Sequence, residues 1–460
     1  MSTLAIHDPA TGALRHTLAA DTPASVVEAV ARARAAQPAW AARPFAERRD
    51  LLARFAALVT ERAEALAAAL TADTGKPISQ ARGEVRATPG RIRWFLEETA
   101  ALLEPHVLVP AGARGTEEVL TWDPLGVVVN LSAWNYPWFV GSNVFVPALL
   151  TGNTVIYKGS EHATATGAAI AELLLEAGVP ADVFQSVVGA GDVGAALLDA
   201  PVDAVFFTGS YATGTRIAAQ AAKRLLKVQL ELGGKDPAYV MEDVDVASAA
   251  AALAEGAFYN AGQSCCAVER IYIHTDVYEA FVEHFLQAVA GFRVGDPTDE
   301  QTFIGPLARD AQLAVLAAQV ADAVQKGATL RTGGQRLDRP GWYFAPTVLT
   351  EVDHTMEVMR EESFGPIIGL QRVQDDTEAR ALMADTPYGL TAAVYGRSRA
   401  RAEHILAGLS VGTAYWNCCD RVSARLPWSG RGHSGLGSTL GHPGIRAFLQ
   451  PRAWHLRPPA

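Results

Sequence analysis

Thirty-four positions separate a glutamate from a cysteine near the middle of this 460-residue chain, and glycines stand beside both. The run Glu231-Leu232-Gly233-Gly234-Lys235-Asp236-Pro237 comes first, and the loop Asn260-Ala261-Gly262-Gln263-Ser264-Cys265-Cys266 follows. A thiol in such a loop can act as a nucleophile that forms a covalent intermediate. A free thiol, with a pKa of about 8.5, is only slightly ionised at neutral pH, so backbone dipoles or a nearby base must assist Cys265. Its neighbour Cys266 is read as a bystander. Glu231 closes the apolar run Val228-Gln229-Leu230. It therefore stands where a parallel strand gives out, which is where active sites of α/β sheets lie. If desolvation lifts its pKa, the carboxylate can activate the water that clears the intermediate. The pair implies chemistry in two steps.

Three other segments have both a chemical and a plain reading. Phe206-Phe207-Thr208-Gly209-Ser210, with Gly214 beyond it, reads as strand, glycine turn and helix start, a layout that offers free N–H groups to a pyrophosphate. It lacks the Gly-x-Gly-x-x-Gly fingerprint, and any βα turn can hold a glycine. Lys158-Gly159-Ser160-Glu161 follows the apolar run Thr154 to Tyr157 and can hold ribose hydroxyls, or be a solvated charged loop. Asn135, within Ala133-Trp134-Asn135-Tyr136-Pro137, offers a side-chain amide to an oxyanion, or forms a turn before proline.

The elements that would position these groups are legible in outline. Ala24 to Ala42, Phe45 to Thr71 and Ile78 to Leu103 read as Ala-rich amphipathic helices, the last bent near Pro89, after a short polar start. Glu117 to Trp122 has strand character. From Gly126 short β-branched runs (Val127 to Val129, Thr154 to Tyr157, Val183 to Val188, Ala204 to Thr208, Val228 to Leu232) alternate with helices near Ser142 to Leu150, Ala163 to Ala177 and from Thr213. That alternation predicts βαβ units and a parallel sheet covered on both faces. A second alternation follows Ala247, with strands near Arg270 to Ile273 and Thr347 to Leu349 and a helix over Tyr278 to Val289. The glycine-rich tail after Ser429 reads largely as loop.

Composition narrows the classes. Apolar residues make up 49% and charged residues 19% of a chain with net charge −10, a globular balance that disfavours nucleic acid as a partner. No apolar run reaches a membrane span, and the first ten residues lack the pattern of a signal peptide. The four cysteines form adjacent pairs, Cys265-Cys266 and Cys418-Cys419, so the thiols are expected to be reduced and the location cytoplasmic. No His or Cys spacing fits a metal site. Of the 39 basic residues only six are lysine, which makes each lysine worth attention.

Taken together, Leu230-Glu231-Leu232-Gly233-Gly234-Lys235, Gly262-Gln263-Ser264-Cys265 and Glu361-Glu362-Ser363-Phe364-Gly365-Pro366 make the chain resemble the aldehyde dehydrogenase superfamily over nearly its whole length. The resemblance implies an α/β fold with a Rossmann-like nucleotide-binding domain (1–104 and 125–231), a catalytic domain (232–430) and a small β oligomerisation element (105–124 and 445–460) serving a homodimer or homotetramer. It implies that Cys265 attacks an aldehyde, that Asn135 and the Cys265 N–H hold the oxyanion, and that Glu231 activates water. Lys158 is counted with the catalytic groups. NAD would be held by Lys158 and Glu161 at the adenine-side ribose, Gly209 and Ser210 at the pyrophosphate, and Glu362 and Phe364 at the nicotinamide ribose and ring, with Trp134, Ser160 and Leu232 also counted as cofactor-binding. Tyr136, Val140, Asn143 and the segment from Cys419 to Trp428 would line the aldehyde tunnel, where Arg421 and Arg425 can receive a substrate carboxylate or simply be solvated. Four departures stand out: Ala133 and Gly159 replace common prolines, Asp236 replaces a common serine, and the segment from Gly435 to Gly441 lacks a frequent Arg-Glu.

A carboxylate at Glu161 repels a 2′-phosphate and so favours NAD over NADP. Two enzyme rivals are an NADP-preferring semialdehyde dehydrogenase and an acylating enzyme that hands the thioester to coenzyme A. A non-catalytic binding protein on the same scaffold is the alternative from another class.

Overall fold

In the computed structural model, residues 2–111, 115–457 and 459 are described. The tip of the expected 105–124 hairpin (112–114), the first residue of the chain and residues 458 and 460 of the C-terminal element lie outside the described residues.

The first sheet has six strands in the order Gly435–Leu436, Lys227–Glu231, Ala204–Thr208, Val127–Leu131, Thr154–Lys158, Phe184–Ser186. All neighbours are parallel except the two-residue tail strand, which runs antiparallel to Lys227–Glu231. The strands are short because each needs only enough β-branched residues to cross a layer covered on both sides. Val127 to Leu131 is buried at every position. Alternate side chains divide between two cores. Val128, Val155, Tyr157 and Phe206 pack with the helices Phe45–Glu61, Ile78–Leu103, Pro137–Leu150 and Thr164–Glu176, while Val127, Val129, Ile156 and Val205 meet Pro23–Ala42, Gly191–Asp199 and Tyr211–Ala222.

The second sheet has seven strands in the order Thr329–Thr332, Thr347–Thr350, Ile367–Val373, Arg270–His274, Pro237–Val240, Thr391–Tyr395, Thr413–Trp416, with only the first antiparallel. Helices Val246–Phe258 and Tyr278–Ala290 cover one face; Ala311–Gln325, Asp376–Ala384 and Arg399–Ala407 cover the other. A third sheet pairs Leu449–Leu456 with Glu117–Pro124, which also pairs with His106–Val109.

Several local readings change. The polar start is a hairpin, Thr3–His7 with Leu14–Ala19. The segment read as one helix over Phe45 to Thr71 is two, because Arg62 leaves the helical region at φ −101°, ψ 16°. The helix Ile78–Leu103 keeps the bounds expected of it, with Pro89 inside it. The helix expected from Ser142 begins at Pro137, where a proline at the first turn gives up no bonded N–H. The tail is not simply loop: it supplies the antiparallel strand Gly435–Leu436 and the helix Gly441–Arg446.

Register is what builds a site. Leu131 lies opposite Lys158, and Thr208 opposite Glu231, so the carboxyl ends of four neighbouring strands finish side by side. The loops that leave them carry Asn135, Lys158 to Glu161, Gly209-Ser210 and Leu232 to Lys235. The strand Pro237–Val240 then starts the second sheet, so the chain crosses between sheets immediately after Glu231.

Candidate active site

Cys265 sits at the junction of two cavities and lines both, as do Thr208, Glu231 and Leu232. The loop that presents it is wound tightly: Asn260 (φ 52°), Ala261 (φ 55°) and Gly262 (φ 71°) are successive left-handed residues. Glycine is required at 262 on two counts, since a Cβ there would also overlap the Gly365 carbonyl. Side-chain bonds hold the asparagine in its strained conformation. Asn260 donates from its backbone N–H to Gln80 Oε1 (3.0 Å) and from Nδ2 to the Gln263 carbonyl (3.1 Å). Asn135 Nδ2 donates to the same carbonyl at 3.1 Å, which places its amide beside the Cys265 loop with one N–H left for a ligand. The loop also touches the glutamate segment: a Cβ on Gly234 would stand 2.9 Å from the Cys265 carbonyl oxygen.

Glu231 is buried. Its Oε1 accepts from Gln229 Nε2 (2.8 Å) and Thr439 Oγ1 (3.0 Å), and its Oε2 has no protein donor among the described residues. Burial raises its pKa to about 8, against the pull of these bonds. Thr439 reaches the carboxylate because the tail strand pairs Gly435 with Glu231 and the Ser434 carbonyl accepts from the Leu232 N–H. Cys266 is buried and its thiol lies 3.0 Å from Asp420 Oδ1, which also accepts from Ser264 Oγ at 2.9 Å. The adjacent Cys265 and burial hold the Cys266 thiol above its usual pKa. The two cysteines thus differ: Cys265 is half-exposed between the cavities, while Cys266 is tied to a carboxyl group.

The first cavity, about 620 Å³, is lined by every residue named for the dinucleotide: Trp134, Lys158, Ser160, Glu161, Gly209, Ser210, Leu232, Glu362 and Phe364. Ser210 caps the helix Tyr211–Ala222, its Oγ accepting from the Thr213 N–H, so free N–H groups of the first turn open here. Lys158 Nζ stands 3.8 Å from Glu161 Oε2, and burial lowers the lysine's pKa while Glu161 opposes that. Trp134 and Phe364 meet edge to face with centroids 5.6 Å apart. Glu362 accepts from the Gly234 N–H at 3.2 Å, and burial lifts its carboxyl well above the ordinary range. Anion donors at a helix start, a ribose-sized Lys/Glu pair and flat aromatic walls fit a nicotinamide dinucleotide.

The second cavity, about 1100 Å³, brings together Tyr136, Val140, Asn143, Arg421 and Arg425. Both arginines are exposed, whereas Asn143 is buried.

Sequence reasoning missed the supports. Lys235 Nζ binds Glu269 Oε2 (2.6 Å) and Ser363 Oγ (3.0 Å), and Glu269 also accepts from the Ser363 and Phe364 N–H groups. This buried staple fixes the Glu362–Phe364 loop over the cavity mouth. Asp236, unusual beside that lysine, is explained by Thr391, which donates Oγ1 (2.6 Å) and its N–H (3.1 Å) to the carboxyl group. Lys76 and Glu84 form a fully buried ion pair, and Glu84 Oε1 also accepts from the Trp138 N–H at 3.0 Å. Lys76 Nζ lies 3.7 Å from the Tyr136 ring centre. The scarcity of lysine was the available signal: three of the six (Lys76, Lys158 and Lys235) are buried at the site. Breaking the Lys76–Glu84 pair strands a buried charge, a loss of about 3–5 kcal/mol. Glu84→Leu is therefore expected to lower the melting temperature sharply, and Lys76→Met with Glu84→Leu to recover much of it. Thermal denaturation of the three variants checks both; equal melting of single and double variants would show that no coupled pair exists.

A cavity whose lining suits a dinucleotide, a half-exposed thiol and a buried carboxyl group stand together at the ends of parallel strands, an arrangement that suits a nucleotide-dependent oxidoreductase. Residues 1–454 match the family model described as "Aldehyde dehydrogenase family". The chain is 35% identical over 447 residues to a succinate-semialdehyde dehydrogenase [NADP(+)] of Deinococcus radiodurans, covering 97% of this chain and 93% of that protein. It is 36% identical to a betaine aldehyde dehydrogenase of Cereibacter sphaeroides, with 97% and 92% covered. The structure of lactaldehyde dehydrogenase from Escherichia coli superposes with a TM-score of 0.96 at 33% identity, over 100% of this chain and 96% of that one. The chain belongs to the aldehyde dehydrogenase family and has its fold.

Proposed function

We propose that the protein oxidises an aldehyde to a carboxylic acid with NAD as the hydride acceptor and water as the final nucleophile. The reading rests most on one observation: Cys265 and the uncapped buried carboxyl group of Glu231 share the junction between the two cavities. The aldehyde enters from the larger cavity, and the Cys265 sulfur adds to its carbonyl carbon. The second Asn135 N–H and the Cys265 backbone N–H stabilise the oxyanion, each good donor lowering the barrier by about 3–4 kcal/mol. A nicotinamide held there would supply the hydride acceptor, and loss of the hydride from the Cys265 adduct would leave a thioester on the sulfur. Glu231 takes a proton from water, which attacks the thioester carbonyl, and the thiolate departs. Lys158, Ser160 and Glu161 orient the adenine side of the dinucleotide, Trp134 flanks it, Gly209 and Ser210 take its phosphates, and Leu232, Glu362 and Phe364 hold its nicotinamide end.

The six-stranded sheet serves the dinucleotide, the seven-stranded sheet carries the thiol, and the three-stranded sheet joins protomers of a homodimer or homotetramer. Val107, Leu108, Trp454 and Leu456, exposed on that last sheet, support this reading. Four free cysteines suit a cytoplasmic location, and no helix of the described residues is long and apolar enough to cross a membrane.

Glu161 favours NAD, because its carboxylate would meet a 2′-phosphate with like charge. The NADP reading is favoured by Arg216, which lines the same cavity and makes no ion pair among the described residues, and by the cofactor in the Deinococcus radiodurans relative's name. Activity with NAD is expected to exceed that with NADP by about tenfold or more, the scale of one mismatched charge contact. Equal or reversed kcat/KM values for the two nucleotides would overturn the NAD assignment.

A further inference from the structure

The larger cavity holds a buried cation for which the chemistry above has no use. Arg91, midway along Ile78–Leu103, is 9% exposed and lines this cavity with Cys265. Its Nη1 donates to Asn143 Oδ1 at 3.0 Å, and its guanidinium lies 4.1 Å from the Phe139 ring centre. Phe139 stacks on Tyr136 with centroids 6.2 Å apart and planes 6° from parallel, and Lys76 covers Tyr136 in turn. Two rings therefore stand between two cations, but the ends differ. Lys76 is neutralised by Glu84, whereas Arg91 makes no ion pair among the described residues.

A desolvated cation without a counter-charge is costly unless something supplies the charge. Burial lowers the Arg91 pKa to about 10, so it stays protonated at neutral pH. The other charges around this cavity are spoken for or lie at its rim. Glu84 is bonded to Lys76 and pulls on Arg91 without bonding to it, Glu231 accepts from Gln229 and Thr439, and Asp420 accepts from Ser264 and Cys266 while burial drives it toward its neutral form. Glu255, Arg421 and Arg425 are exposed. Neither the remaining Arg91 N–H groups nor the Asn143 Nδ2 group is sealed in protein without an acceptor, so they open on the cavity. A guanidinium fork beside an amide donor matches a carboxylate.

We propose that Arg91 and Asn143 bind a carboxylate at the far end of the aldehyde, so that the preferred substrate is an oxo acid with its aldehyde at the opposite terminus. This rests on the aldehyde dehydrogenase reading. It moves the anion contact from the exposed Arg421 and Arg425 to the interior wall.

The test compares kcat/KM for unbranched aldehydes of matched length ending in carboxylate, methyl or trimethylammonium. The wild-type enzyme is expected to prefer the carboxylate, and Arg91→Met to reduce the carboxylate-to-methyl ratio about 10- to 100-fold, the scale of a hydrogen bond to a charged group. The loss should appear in KM, and Arg91→Lys should restore part of the ratio. A second measurement needs no variant. A saturated dicarboxylate should slow iodoacetamide alkylation of Cys265 in the wild-type enzyme, and the corresponding diamide should not. Oxidation of the panel without preference for carboxylate, an unchanged ratio in Arg91→Met, or equal protection by acid and diamide overturns the anchor alone. Failure to oxidise any aldehyde overturns the dehydrogenase reading and the anchor with it.

Discussion

Cys265→Ala is expected to abolish aldehyde oxidation, with kcat reduced by about 10⁴-fold or more, the loss typical of removing a covalent nucleophile. The neighbouring thiol does not rescue it. Cys266 is buried, bonded to the Asp420 carboxyl group and held protonated, so its sulfur is both less nucleophilic and wrongly placed. Cys266→Ala should accordingly retain most activity, with any loss traced to the released Asp420. Assays of the two variants under one set of conditions make the comparison. Residual turnover in Cys265→Ala within tenfold of wild type would mean that the chemistry runs through another group.

The second large effect concerns Glu231. Glu231→Gln keeps the shape and the bonds from Gln229 and Thr439 but cannot accept a proton from water. The expected result is one rapid equivalent of reduced nucleotide per active site, followed by turnover at least about 100-fold slower than wild type, the scale of general-base catalysis. Burial raises the glutamate's pKa to about 8, and a base works in its deprotonated form. Steady-state kcat of the wild type should therefore rise with pH through about 8 where deacylation limits the rate, while the burst amplitude stays constant. Stopped-flow absorbance across this range checks both statements. Normal steady turnover in Glu231→Gln would refute the water-activating role. If coenzyme A were the true acceptor, adding it would accelerate the wild type far beyond water.

What could be read from the sequence was what is local. A β-branched run that stops at or near a glycine announces the carboxyl end of a parallel strand, and three of the four ends that build the site (Lys158, Thr208 and Glu231) have a glycine within two residues, while at Leu131 the run gives way to the Trp134–Pro137 segment instead. The thiol and the glutamate were legible because each lies within a short run that has few other uses. What escaped depended on partners distant in sequence. Thr439 meets Glu231 across 208 positions, and Arg91 meets Asn143 across 52. Neither residue type is unusual where it stands, since a helix interior tolerates arginine and a glycine-rich tail tolerates threonine. The tail misled for the same reason: glycines suggested loop, whereas Gly435, at φ 146°, pairs against Glu231 where a Cβ would overlap the Leu230 carbonyl. Asp236 reads in the sequence as a mere departure, whereas in the fold the Thr391 hydroxyl donates to it.

The most direct test is a mass measurement on Glu231→Gln quenched seconds after mixing with aldehyde and NAD, followed by proteolysis. The peptide containing Cys265 should carry one acyl group, heavier than the free thiol by the mass of the aldehyde less two hydrogens, with Cys266 unmodified. An unmodified peptide alongside stoichiometric reduced nucleotide, or an acyl group on another side chain, would contradict a thioester at Cys265.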